Sequence, residues 1–105
     1  MGLLDFLGIG SKAESIQEFV AKGALIVDVR TPSEFAGGHI KNSKNIPLIA
    51  LEEKIGEIKK ANKPVIVCCL SGMRSAQAAS ILKQNGINVI NGGGWKSLES
   101  KLSSY

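Results

Sequence analysis

Val65-Ile66-Val67-Cys68-Cys69-Leu70-Ser71-Gly72-Met73-Arg74-Ser75 is the stretch on which the fold turns. Residues 65–68 form a short apolar run bounded by Asn62-Lys63-Pro64 and a Gly-containing loop. Such a run reads as a strand buried on both faces, as in a parallel sheet. Residues 75–84 are Ala-rich, carry Ala78, Ile81 and Leu82 on one stripe, and stop at Asn85-Gly86, so a helix follows. The segment is therefore strand, tight loop, helix.

The same alternation extends in both directions. Upstream, Ala24-Leu25-Ile26-Val27-Asp28-Val29 is a second buried strand, with Asp28 and Arg30 at its carboxyl end. A helix before it is expected from Ile16, Phe19 and Val20 and a stop at Gly23, opened by the capping-box spacing of Ser11 and Glu14. Residues 31–44 read as a polar connection with a short helix at 33–36, and Asn45-Ile46 as a short strand. Pro47 then opens a helix with Leu48, Leu51, Ile55 and Ile58 inward. Downstream, residues 87–90 read as a strand, Asn91-Gly92-Gly93-Gly94 as a turn, and Trp95, Leu98 and Leu102 as the stripe of a last helix. Strands alternating with helices predict an α/β domain, a mostly parallel sheet of four to five strands with helices on both faces.

Length and composition agree. The chain has 105 residues, 44% hydrophobic and 21% charged, which suits one folded domain and excludes disorder or a coiled coil. The expected division is a lead segment, residues 1–10, and a single domain, residues 11–105. No apolar run reaches the roughly 18 residues that span a bilayer, so stable membrane insertion is not expected. The net charge is +4, and all but two of the 13 basic residues are Lys, spread without a dense run. This reads as a solvated surface rather than a nucleic-acid site, while still favouring encounter with a small anion. Cys68 and Cys69 are adjacent, so they do not form a disulfide framework, and a reducing, cytoplasmic setting is expected. With His39 the only histidine, the Cys and His residues are too few for a zinc site of that type, and no metal or cofactor is expected.

In an open parallel sheet, ligands bind beyond the carboxyl ends of the strands. Asp28, Arg30 and the two cysteines fall there. The loop after residue 68 leads into a helix N-terminus, where inward N–H groups and the helix dipole favour an anion. A thiolate there is a nucleophile. Cys68 completes the strand and Cys69 is the first loop residue, so Cys69 is the candidate nucleophile and Cys68 a buried filler. Gly72 relieves a crowded backbone position, and Arg74 supplies a fixed cation.

The residues here resemble the rhodanese family of sulfurtransferases over roughly residues 11–102. The resemblance is carried by Leu25 to Phe35 with Gly38-His39-Ile40 and Asn45-Ile46-Pro47, by the Cys-x-x-Gly-x-Arg pattern of Cys69 to Arg74 followed by Ser75, and by Gly93-Gly94-Trp95. It implies a rhodanese-like fold and a thiosulfate sulfurtransferase activity. Cys69 would carry a persulfide. Leu70, Ser71, Gly72, Met73 and Arg74 would cradle the extra sulfur, with Ser75 beside them, and the Arg74 side chain would hold the sulfite-like end of the donor. The implied partners are a small anionic sulfur donor and an acceptor: cyanide, a thiol or a sulfur-accepting protein. A monomer is sufficient.

Asp28 is expected to orient the loop, and Arg30 and Glu34 to form a structural ion pair or to engage nearby carbonyls. His39 is a lesser candidate acid or base, and Trp95 is core or the wall of the pocket mouth. Two other readings stand beside this one. Cys68, five residues and Arg74 also make the Cys-x5-Arg-Ser spacing of tyrosine phosphatases and arsenate reductases, which would use Cys68. A non-enzymatic binding module of the same fold is the second.

Overall fold

The computed structural model describes residues 15–105. The lead segment and the Ser11–Glu14 capping box lie outside the described residues. The first described helix, α1 (Ile16–Ala21), carries a capping box of its own: the Ser15 hydroxyl accepts from the Glu18 N–H, and the Glu18 carboxylate accepts from the Ser15 N–H.

Four strands follow: β1 (Leu25–Asp28), β2 (Lys44–Asn45), β3 (Val65–Cys69) and β4 (Val89–Gly94). They form one all-parallel sheet in the order β2-β1-β3-β4. The central pair, β1 and β3, aligns Val27 with Val67 and Asp28 with Cys68. Between the strands run α2 (Pro32–Ala36), a 3-10 helix (Leu48–Lys54) leading into α3 (Ile55–Ala61), and α4 (Met73–Gln84); α5 (Trp95–Ser104) closes the chain.

Period-two alternation sorts the core into two layers. Val27, Val65, Val67 and Cys69 pack with Leu51, Ile58, Ala78 and Leu82, on the face covered by the 3-10 helix, α3 and α4. Ile66 and Cys68 pack with Phe19 and Leu98, on the face covered by α1 and α5. The expected architecture of a parallel sheet between two helical layers is thus observed, with four strands. Among the described residues no helix is long and apolar enough to cross a membrane.

Four local expectations are corrected. Residues 48–54 are a 3-10 helix: Leu48 N–H is tied to the Val29 carbonyl and Ala50 N–H to the Pro47 carbonyl, which tightens the turn before α3 begins. Asn91 to Gly94 are not a turn but the end of β4, paired with β3 through a bulge between Val67 and Cys68. Cys69 is not a loop residue but the last residue of β3, opposite Gly94. Helix α4 begins at Met73 rather than Ser75, because Gly72 at φ +100° turns the chain and its carbonyl accepts the Ala76 N–H of the first turn.

Candidate active site

The two cysteines, both free thiols, end on opposite sides of the sheet. Cys68 faces α1 and α5, is fully buried, and sits beside Asp28. Burial first, then the Asp28 charge, push its thiol up to about 12. It is a proton-bearing core residue.

Cys69 faces α4. Its Sγ accepts the Gly72 N–H at 2.9 Å and the Ser75 N–H at 3.4 Å, and lies 3.4 Å from the Ser75 Oγ. Burial opposes the thiolate. The Ser75 hydroxyl, the N–H groups of Ser75, Gly72 and Ser71 together outweigh it, and the thiol falls below its ordinary value. The amides converge because Gly72 takes a left-handed conformation at the N-cap of α4, which turns the loop and the helix start toward the strand end. The side chain itself is covered by this loop, with no exposed surface. Outside the loop lies an open groove of about 620 Å³ lined by Ser71, Gly72, Met73, Arg74 and Asn91 among others.

Packing explains Gly94 of β4, and a left-handed backbone at φ +83° explains Gly93. A Cβ at position 94 would lie 2.8 Å from the Leu70 carbonyl oxygen, and one at 72 would lie 3.3 Å from Gly93 Cα. The cysteine loop rests directly on the backbone of β4, and a side chain would lift it off.

Arg74 stands at the loop's helical end, but its guanidinium is engaged. Nη1 and Nη2 donate to the two Glu34 carboxylate oxygens at 2.8 and 3.0 Å. This pair holds the Glu34 carboxyl down to about 2, helped by N–H and hydroxyl donation from Thr31. Glu34 was expected opposite Arg30, and the structure gives it to Arg74 instead, across 40 residues of sequence. Only the loop and helix packing could bring them together, so no local spacing signals the pair.

Arg30 is taken by Asp28. Its Nε and Nη2 meet the Asp28 carboxylate at 2.7 to 3.1 Å, while Nη1 and Nη2 donate to the Glu34 and Gly38 carbonyls. The guanidinium also lies 4.7 Å from the centroid of the Trp95 ring. The expected carbonyl contacts of Arg30 are present, and its ion-pair partner is corrected. This cluster fixes the α2 loop on the Cys68 side of the sheet; Trp95 packs with that cluster and not beside Cys69. His39 is exposed, stacked on Phe35 at 3.7 Å and bonded through Nδ1 to the Phe35 carbonyl at 2.7 Å.

Asn91 was missed as a site residue. Its Oδ1 accepts from the Ser75 hydroxyl at 2.7 Å and the Gly93 N–H at 2.9 Å, and its Nδ2 donates to the Gly72 carbonyl at 3.2 Å. An amide in the last residues of a strand before three glycines was the available signal, and reading those residues as a turn concealed it.

A thiol at the carboxyl end of a parallel strand, held by the N–H groups of the loop and helix that follow, defines an α/β protein with a candidate cysteine-loop site. The family is specific: this chain belongs to the rhodanese-like domain family, whose sequence model matches residues 12–101. A Bacillus subtilis protein, the uncharacterized YqhL, is 40% identical over 92 residues, covering 84% of this chain and 72% of that one. A protein named sulfurtransferase from Allochromatium vinosum is 37% identical over 76 residues, covering 70% of each. Among solved structures, a rhodanese-related protein of Thermoplasma volcanium superposes with a TM-score of 0.68 at 37% identity, covering 82% of this chain and 85% of that one. A structure described as rhodanese with anions from E. coli gives 0.64 at 36% identity, covering 70% of this chain and 88% of that one.

Proposed function

We propose that this chain moves a sulfane sulfur from thiosulfate, or from a persulfide donor, to a nucleophilic acceptor through a persulfide on Cys69. The observation that carries the reading is the convergence of the Gly72 and Ser75 N–H groups on one sulfur at the N-terminus of α4. In the first step the Cys69 thiolate attacks the outer sulfur of thiosulfate. A new S–S bond forms, the old one breaks, and sulfite leaves with the electron pair. In the second step an acceptor such as cyanide or a thiolate attacks the terminal sulfur and regenerates the Cys69 thiolate. Splitting the transfer into two displacements implies ping-pong kinetics.

Each residue has a part in this reading. The amides hold negative charge on Sγ, and then on the terminal sulfur once the loop has moved outward. Leu70 and Met73, both exposed, form the rim of the loop. Arg74 has more donors than Glu34 occupies, and the remainder face a sulfite-like group. Asp28 and Arg30, expected as supporting residues, bond each other and the α2 loop on the other face. The two free thiols suit a reducing compartment such as the cytoplasm, and the unit of function is the monomer.

Paired substitutions test the assignment. Cys69→Ser should abolish thiosulfate:cyanide sulfurtransferase activity, while Cys68→Ser should keep most of it. If Cys68→Ser is the inactive variant, the loop works in the Cys-x5-Arg frame instead.

A further inference from the structure

The Ser75 hydroxyl has one proton and two candidate acceptors. One is Cys69 Sγ at 3.4 Å, the other Asn91 Oδ1 at 2.7 Å. The orientation of the Asn91 amide is fixed independently, since its oxygen takes the Gly93 N–H and its nitrogen faces the Gly72 carbonyl. Oδ1 has no proton to give, so the short Ser75–Asn91 contact places the hydroxyl proton on the Asn91 side. A lone pair of Ser75 Oγ then faces Cys69, an arrangement that suits a thiol, and the hydroxyl can help lower the thiol only once it has turned from Asn91 toward Sγ.

We propose that Asn91 is a positioning residue that competes with Cys69 for the Ser75 hydroxyl proton and so sets how readily the nucleophile ionises. The thiolate gains the Ser75 bond only when the hydroxyl turns away from Asn91. Once a persulfide moves the charge one sulfur outward, the hydroxyl can return to Asn91. This rests on the reading of Cys69 as the sulfur carrier. The charged and titratable groups nearest Cys69 are Arg74 on α4, paired with Glu34 on α2, and across the sheet the Cys68 thiol, which itself faces the Asp28–Arg30 pair. None of them contacts Asn91 by hydrogen bond or ion pair.

The test is the pH profile of Cys69 alkylation by iodoacetamide, with the modified residue identified by fragment mass spectrometry. Asn91→Ala should raise the alkylation rate on the acidic limb about fivefold, the effect of one hydrogen bond released to the thiolate. In a Ser75→Ala background the same substitution should change nothing. Asn91→Leu, which keeps side-chain bulk at this exposed position, should behave like Asn91→Ala and guards against a folding defect in one variant. An unchanged or slowed rate in Asn91→Ala, or an acceleration that persists without the Ser75 hydroxyl, overturns the proposal and leaves Asn91 as a clamp on Gly72. Alkylation needs no sulfur donor. A wild-type protein that takes no sulfur from thiosulfate or from a persulfide donor would therefore defeat the proposed function without touching this result.

Discussion

Cys68 and Cys69 are joined by one peptide bond, and a strand sends adjacent side chains to opposite faces. That alternation decides their chemistry. Cys68 meets Asp28 and apolar side chains and holds its proton up to about 12, whereas Cys69 meets N–H donors and gives its proton up below the usual thiol range. The difference has a stability consequence. The unfolded Cys68 thiol ionises near 9.0 and the folded one does not until about 12, so the unfolded chain binds fewer protons between those values. Stability contributed by Cys68 is complete below pH 9.0 and is lost as pH rises toward 12, at about 1.4 kcal/mol per pH unit. Denaturant unfolding of Cys68→Ala should show that part of the alkaline slope removed. An unaltered slope would mean that the buried thiol does not govern it. At Arg74 the expectation is kinetic. Arg74→Ala should raise the KM for thiosulfate about tenfold, with kcat less affected, and Arg74→Lys should recover only part of the loss because the planar fork is gone. Equal KM values in the three proteins would remove Arg74 from donor binding.

At the scale of elements, the loop and helix α4 work because β4 ends in glycines. The Leu70 carbonyl lies where a side chain at 94 would begin. Gly94→Ala must push the cysteine loop away from the sheet, turning the amides off Cys69. It should lower sulfurtransferase activity by at least tenfold and raise the apparent thiol pKa, read from the pH dependence of alkylation, while the far-ultraviolet spectrum stays native. Wild-type activity in Gly94→Ala would show that the contact is not needed. These same glycines are the part of the fold least legible from sequence. Glycine displays no period-two pattern and is disfavoured inside strands, so Asn91 to Gly94 read as a turn until the close approach of the loop is seen. The 3-10 helix was hidden differently: Leu48 and Leu51 are spaced for either helix type, and the bond from Leu48 to Val29 that tightens the turn comes from another element.

The whole molecule was legible where its pattern was strong and local. Apolar runs at 25–29 and 65–68, separated by helical stripes, were enough to give a parallel sheet between two helical layers. The end of a strand next to a helix start was enough to point to the cysteine pair, while the reading of Cys69 as a loop residue missed that it ends β3. Two relations were not available: the Arg74–Glu34 pair and the Asn91–Ser75 contact, which join residues 40 and 16 apart through the folded packing. Both belong to the surroundings of the sulfur and set its charge environment, whereas the proposed nucleophile is marked by its place at a strand end before a helix start.

Incubating the reduced protein with thiosulfate, removing excess donor, and fragmenting the intact protein by mass spectrometry tests the central claim most directly. The account predicts a gain of one sulfur atom per chain, carried by Cys69, and its loss as thiocyanate on addition of cyanide. An extra sulfur found on Cys68, or no gain in mass at all, would contradict it.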